Sequence, residues 1–128
     1  MLKNCGNYST RAKLLPPNNN LNLQAIDQAV DYLRDNSEAG AKARAERIYL
    51  EEYRKSLKAI LMKKFTDLPV SAQEREAYAH PEYQNILKGL KQAVYNDEYH
   101  RYMRQSAVAK IDAWRTKEAT NRSLDKIG

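Results

Sequence analysis

The chain has 128 residues, of which 42% are hydrophobic and 30% are charged, with only four glycines and four prolines. This length and composition suffice for one domain with one modest core, and they favour helix over strand almost everywhere. Cys5 is the only cysteine, which excludes an internal disulfide, and no apolar run reaches the ~18 residues of a membrane span, so we expect a cytoplasmic protein.

The net charge of +6 is concentrated at the two ends of the chain. Residues 1–21 carry three bases and no acid, and residues 22–99 carry 12 bases and 13 acids. Residues 100–128 carry seven bases and three acids. Basic ends of this kind favour a polyanionic partner, because neutralising phosphates releases counterions.

The first predicted segments are an arm and a short helix. Residues 1–21 end in LLPPNNNL, whose prolines and asparagines oppose regular structure, so they predict a flexible basic arm. A single helical domain is expected over residues 22–128. From Asn22 to about Asn36, apolar residues recur at intervals of three and four, which predicts an amphipathic helix.

The second predicted helix runs from about Glu38 to Phe65, since its apolar residues fall on one stripe and no proline interrupts it. The stretch SAQE then has the spacing of a capping box, Ser71 to Glu74, and predicts a helix of about two turns that ends near Tyr78.

The last predicted helix is the longest element. Pro81 suits a first turn, and the helical pattern continues from Glu82 to about Asn121, which gives a rod near 60 Å long at ~1.5 Å per residue. The fold class predicted from these segments is all-α, an elongated helical hairpin or bundle with one very long C-terminal helix.

The apolar face of this rod changes direction along its length, which indicates supercoiling or a second partner. The first and second predicted helices together cannot cover all apolar sides of such a rod, so we predict a homo-oligomer. Its predicted interface consists of Tyr95, Tyr99, Tyr102, Met103, Ile111 and Trp114. The alternatives are a tyrosine ladder on which bases stack, and a Trp114 ring that stacks on a base or packs in the core.

Six cations are the candidate contacts for nucleic-acid phosphates. Three of them lie on the second helix and have no acidic residue three or four positions before them, namely Lys58, Lys63 and Lys64. Without such a partner on the same helix, they are expected to be its freer charges. The other three follow the only tryptophan in IDAWRTKEATNRS, namely Arg115, Lys117 and Arg122. The alternative for the second group is a solvated helix end whose cations complement the helix dipole.

No set of residues indicates catalysis. His80 and His100 are 20 residues apart, without cysteines or clustered carboxylates at metal-ligand spacing, and neither a Gly-rich phosphate loop nor a nucleophile motif is present. Asp97 and Glu98 precede His100, but adjacent helical positions point apart, so we expect a solvated turn there. We therefore expect a protein that is not an enzyme and that has no metal or cofactor.

Two stretches, SLKAIL at residues 56–61 and the long segment at residues 95–122, resemble parts of a known family, the UvsY-type recombination mediators of T-even-like bacteriophages. SLKAIL at residues 56–61 is similar to the Leu-Lys-Ala signature of that family, although Ile60 stands where the family has a basic residue. The second stretch is similar to a helix of that family that has an apolar face and ends in basic residues; here it reads YNDEYHRYMRQSAVAKIDAWRTKEATNR at residues 95–122.

The resemblance implies an accessory protein without enzymatic activity in the cytoplasm of a bacterial host cell. Such a protein forms a ring-like helical oligomer, binds single-stranded DNA and helps a recombinase to displace the single-strand-binding protein. Lys58 would contact phosphate, with Arg115, Lys117 and Arg122 as further contacts. Two other classes stay open: a protein-interaction module, such as a phage adaptor or an inhibitor of a host protein, and a structural phage component.

Overall fold

The computed structural model describes residues 22–128, so the predicted arm over residues 1–21 lies outside the described residues. The described chain forms four α-helices and no strand. These helices are α1 (Leu23–Asp35), α2 (Ser37–Met62), α3 (Val70–Ala79) and α4 (Pro81–Asp125), with a short 3-10 turn over Lys63–Phe65 after α2. The predicted all-α fold with one very long C-terminal helix is confirmed.

A single residue separates α1 from α2. Asn22 caps the start of α1, because its side-chain oxygen accepts a hydrogen bond of 2.8 Å from the Ala25 N–H. At the other end, the Asn36 N–H donates to the Tyr32 carbonyl at 3.0 Å, and the Asn36 carbonyl accepts from Gly40 at 3.0 Å. Helical hydrogen bonding therefore passes through the break, and α1 and α2 act as one interrupted arm.

The starts of α3 and α4 differ in how they are capped. The predicted capping box at Ser71 and Glu74 does not form, since α3 begins at Val70 after the N-cap Pro69 and has no side-chain cap. The start of α4 is capped by His80, whose Nδ1 accepts from the Glu82 N–H at 3.2 Å. With 45 residues, α4 is about 68 Å long at ~1.5 Å per residue.

The long arm and α4 form an antiparallel hairpin. Gly40 lies against His100 and Arg104, and Gly89 lies against Leu50. The numbers of two residues that face each other across the hairpin therefore add up to about 140. Because α1 also packs on α4, it continues the hairpin beyond the N-terminus of α2. At the closed end, α3 covers a core of Leu57, Leu61, Ala77 and Tyr83, with Tyr53, Met62, Ile86 and Leu87 around it.

Buried and half-buried positions recur at alternating intervals of three and four along both sides of the hairpin, and we call this contact line the seam. Such a 3.5-residue repeat is the pattern of helices that supercoil around each other. On the arm the seam consists of Ile26, Ala29, Leu33, Asn36, Gly40, Ala43, Arg47, Leu50, Arg54, Leu57 and Leu61. On α4 it consists of Tyr83, Ile86, Leu90, Ala93, Asp97, His100, Arg104, Ala107, Ile111, Trp114 and Glu118.

The centre of the seam is polar, which corrects two expectations. Asp97 is only 5% exposed, and its carboxylate lies 3.0 Å from Nη1 of Arg47. The same guanidinium lies 3.6 Å from Glu98 and 3.7 Å from Glu51. The expected solvated turn around Asp97 is therefore wrong. The contact face also does not move onto the tyrosines, because polar residues continue the seam between Ala93 and Ala107.

The closed-end core gives a stability prediction. Leu61 is fully buried, whereas its neighbour Ile60 is 50% exposed. Leu61→Ala should lower the free energy of unfolding by about 2–5 kcal/mol, because it leaves a cavity. Ile60→Ala should lower it by less than about 1 kcal/mol. Urea unfolding of both variants measures the difference, and equal losses would contradict the placement of the core.

The polar centre gives a second prediction. Asp97→Ala removes the closest carboxylate from the Arg47 guanidinium but leaves Glu98 and Glu51 within 3.7 Å of it, so it should cost about 1–3 kcal/mol of stability. The double variant Arg47→Leu, Asp97→Leu should recover most of that loss, since apolar residues can replace a buried ion pair. Thermal unfolding measures both. A single variant as stable as the parent chain would contradict a buried pair.

Candidate nucleic-acid interface

Lys58, the first predicted phosphate contact, already pairs with other residues of the protein. Its ammonium lies 3.0 Å from Glu74 of α3 and 4.8 Å from the centre of the Tyr78 ring. The contacts with Tyr78 and then with Glu74 raise the pKa of Lys58 above its ordinary value. A phosphate at this position would therefore have to compete with Glu74.

The other two cations of this group differ from each other. Lys64 lies 3.5 Å from Glu82 at the start of α4, and both side chains are about half exposed. Lys63 is exposed and makes no ion pair with any residue between 22 and 128. The expectation that Lys58 and Lys64 are freer charges is wrong, because their acids come from helices that are distant in sequence.

Four exposed cations stand close together on the last third of α4, and we call them the basic end: Lys110, Arg115, Lys117 and Arg122. Arg115 is 73% exposed and lies 3.8 Å from Asp112, which is a weak surface pair. Within the described chain, none of the other three makes an ion pair. These charges remain available to an external anion.

The basic end has two rows. Arg115 and Arg122 are seven residues apart and share one side of α4, whereas Lys110 and Lys117 share the other. The two rows flank the seam, which here contains Ile111, Trp114 and Glu118. Lys110 was missed by the sequence analysis, although its spacing of seven from Lys117 is the signal that places both on one side.

The predicted tyrosine line lies on the outer face of α4, away from the seam. Tyr95, Tyr99 and Tyr102 are 64%, 51% and 61% exposed, and Met103 is 37% exposed. The Arg101 guanidinium lies 4.9 Å from the centre of the Tyr102 ring, a cation–π contact, and donates to Glu98 at 2.8 Å. The described chain thus leaves three aromatic rings uncovered in a row.

Ile111 and Trp114 lie on a different face from the tyrosines. Both are half-buried and belong to the seam, where the register places them level with Ala29 and Ile26 of α1. Trp114 also lines an open hollow of about 610 Å³ together with Arg115 and Arg122. One edge of the indole is therefore close to two cations of the basic end.

The described part of the chain lacks two other kinds of feature, a cluster of metal ligands and a membrane span. Residues 22–128 contain no group of three histidine, cysteine or acidic side chains that could hold a metal ion. None of the four helices is long and apolar enough to cross a membrane. The chain matches no protein-family model, no curated protein and no solved structure.

The contacts of Lys58 predict a chemical difference from Lys63. At a mildly alkaline pH, acetic anhydride should acetylate Lys58 more slowly than Lys63, because the raised pKa leaves less of the reactive neutral amine. Glu74→Gln should speed the reaction at Lys58 and leave that at Lys63 unchanged. Peptide mass spectrometry measures both rates, and equal rates in the unsubstituted protein would argue against the Lys58 contacts.

Proposed function

We propose that the chain is an accessory protein of phage-type recombination or replication that binds single-stranded DNA and is not an enzyme. The observation that carries the proposal is the basic end of α4, where four exposed cations make only one weak ion pair within residues 22–128. A phosphate backbone would replace their counterions and gain affinity by releasing them.

The aromatic residues support a single strand over a duplex. Uncovered rings at Tyr95, Tyr99 and Tyr102 lie on the same helix as the basic end. Unpaired bases can stack on such rings, whereas the bases of a duplex are already stacked on one another. Arg101 beside Tyr102 adds a cation to this face. We propose that the strand runs along α4, with phosphates on the basic end and bases on the tyrosines.

The ion pairs in the folded chain change the order of importance that we assign to the predicted phosphate contacts. Arg115, Lys117 and Arg122 are the primary contacts, with Lys110 added because it shares a side of α4 with Lys117. Lys63 is a secondary contact, since it is exposed at the far end of the hairpin. Lys58 and Lys64 rank last because Glu74 and Glu82 already neutralise them. A recombinase and a single-strand-binding protein are the protein partners that this function would require.

The binding prediction uses two triple variants with the same change in charge. Replacing Arg115, Lys117 and Arg122 by Gln should weaken binding of a single-stranded oligonucleotide and reduce the salt slope by up to about three contacts, each worth roughly 0.7. The matched control replaces three exposed cations near the closed end by Gln: Arg75, Lys88 and Lys91. It should retain most of the affinity.

Fluorescence anisotropy of a labelled oligonucleotide at several salt concentrations measures both variants. Trp114 supplies a second signal, because it is the only tryptophan and lies beside Arg115. Equal losses of affinity in the two variants would mean that net charge, and not the position of these cations, determines binding. The proposal fails if the unsubstituted protein does not bind at low salt.

The exposed tyrosine line also favours a second candidate function, that of a homo-oligomeric or partner-binding helical module. Large uncovered aromatic rings in a row are typical of protein interfaces. On this reading Tyr95, Tyr99, Tyr102 and Met103 meet another protein surface. Ile111 and Trp114 would contact the same partner only if the part of the seam that they occupy were exposed.

The interface reading predicts a change in mass. Tyr99→Glu should lower the oligomer mass measured by light scattering, because a charge would be buried where a ring packs. Gln24→Glu is the control, since it adds the same charge at an exposed position of a different helix, α1. A protein that is monomeric before substitution would rule out self-association through this face.

A further inference from the structure

We propose that the strand lies on the outer face of α4, with its bases over an uncharged stripe and its phosphates along the edge formed by Lys110 and Lys117. This inference rests on the proposed function, because it assigns a path to the same strand. It divides the stripe into a half that holds bases by stacking and a half where only the phosphates are held.

The stripe runs along the side of α4 opposite the seam, from Tyr95 to Ser123. Its positions follow one another at alternating intervals of four and three residues, and all of them are exposed. None of them is charged, whereas the outer side of the arm carries Asp31, Glu38 and Glu52. The outer face of a surface helix usually carries charged residues. This side of α4 is thus an exception, and it matches the flat, uncharged faces of nucleic-acid bases.

The first half of the stripe is aromatic. Tyr95, Tyr99 and Tyr102 are at least half exposed, and they extend over about 10 Å at ~1.5 Å per residue. The Arg101 guanidinium adds a cation beside the last of these rings. Because every base has a π-face, stacking on these rings binds a strand without selecting its sequence.

The second half of the stripe, from Ala109 to Ser123, offers neither a ring nor a free hydroxyl hydrogen. Ala109 and Ala113 have no polar side-chain atom. The hydroxyls of Thr116, Thr120 and Ser123 each donate to the carbonyl four residues earlier, at 3.1 Å. A base over this half therefore finds no ring to stack on and no donor for its edge, so the phosphates must carry the binding here.

Lys110 and Lys117 border the second half of the stripe directly, and we call them the lysine edge. Lys110 is four residues after Ser106, and Lys117 is four residues after Ala113, so each lies one turn from a residue of the stripe. No acid stands three or four residues from either lysine. Neither lysine makes an ion pair within residues 22–128. Both charges can therefore meet the phosphates of a strand whose bases lie over the stripe.

Arg115 and Arg122 lie on the other side of α4, next to acids. Arg115 is 3.8 Å from Asp112, and the hollow that both arginines line is also lined by Glu118. These carboxylates lower the positive potential on that side. The lysine edge is therefore the more favourable path for phosphates, although both pairs of cations stand on the last third of the same helix.

The first test compares two double variants with the same change in charge. The stripe is about 42 Å long at ~1.5 Å per residue, which takes about 12 nucleotides at the ~3.4 Å between phosphates of a stacked strand, so the probe is labelled dT12. Lys110→Gln with Lys117→Gln should reduce the salt slope by about 1.4, from two contacts at roughly 0.7 each. Arg115→Gln with Arg122→Gln should reduce it by less than half as much.

Fluorescence anisotropy at several salt concentrations measures both double variants. An equal or larger reduction in the arginine variant would overturn the lysine edge.

The second test asks whether the rings hold bases. Replacing Tyr95, Tyr99 and Tyr102 by Leu should weaken binding of dT12 about tenfold to 100-fold. The same variant should bind a wholly abasic strand of 12 phosphates as tightly as the parent does, because no base is present to stack. For this variant dT12 and the abasic strand should bind alike, since the rest of the stripe holds only phosphates.

Two single variants supply the matched control for the rings. Tyr95→Leu removes a ring of the stripe that is 64% exposed, and Tyr49→Leu removes a ring of the arm that is 59% exposed. The first should weaken binding of dT12 about fivefold, and the second should leave it unchanged. Equal losses would overturn base stacking on the stripe.

The outcomes separate this path from the proposed function. If the parent binds dT12 but the triple tyrosine variant loses the same factor on both strands, the path is overturned and the function stands. The path is also overturned if that variant binds dT12 as tightly as the parent; a lower mass in light scattering would then assign the rings to a second copy. If the parent does not bind dT12 at low salt, both the function and the path are wrong.

Discussion

Arg47 and Asp97 meet inside the hairpin at positions where a coiled pair of helices usually places apolar side chains. A charged pair at such a position is satisfied in one register, because sliding either helix by a turn would leave a charge buried without its partner. At the next level of the seam Gly40 lies against Arg104, and a Cβ added at Gly40 would be 3.0 Å from Nη1 of that arginine. We infer that this polar centre fixes how the two sides of the hairpin align.

That alignment decides which cations are available. With the register fixed, α3 brings Glu74 to Lys58, and the start of α4 brings Glu82 to Lys64. Among the described residues, α1 is the helix that lies beside α4 from about Gln105 onward, and the basic end projects on both sides of the seam. The surface that the proposed function needs is therefore at the open end of the hairpin, where fewer buried contacts hold the helices together.

The helices themselves were predictable from sequence, because local periodicity, Pro69 and Pro81 determine where each one begins or ends. The seam was not predictable, because Asp97 and His100 were expected in a solvated turn and Arg104 gives no apolar signal. The exposed tyrosines were predicted as the contact face. The partners of Lys58 and Lys64 were also missed, because rules on spacing within one helix say nothing of acids from another. Arg115, Lys117 and Arg122 were chosen from their place after Trp114 near the end of the long helix, and all three are exposed; their role as phosphate contacts stays a prediction.

The central claim is that a single strand lies along the second half of α4, and mapping the contact directly tests it best. A 5-bromodeoxyuridine-substituted oligonucleotide should be bound at low salt, photo-crosslinked and digested, and the modified peptides identified by mass spectrometry. The account predicts adducts on residues 95–122, at the tyrosines or at Trp114. Adducts confined to α2 around Lys58, or none at a concentration where binding is saturated, would contradict it.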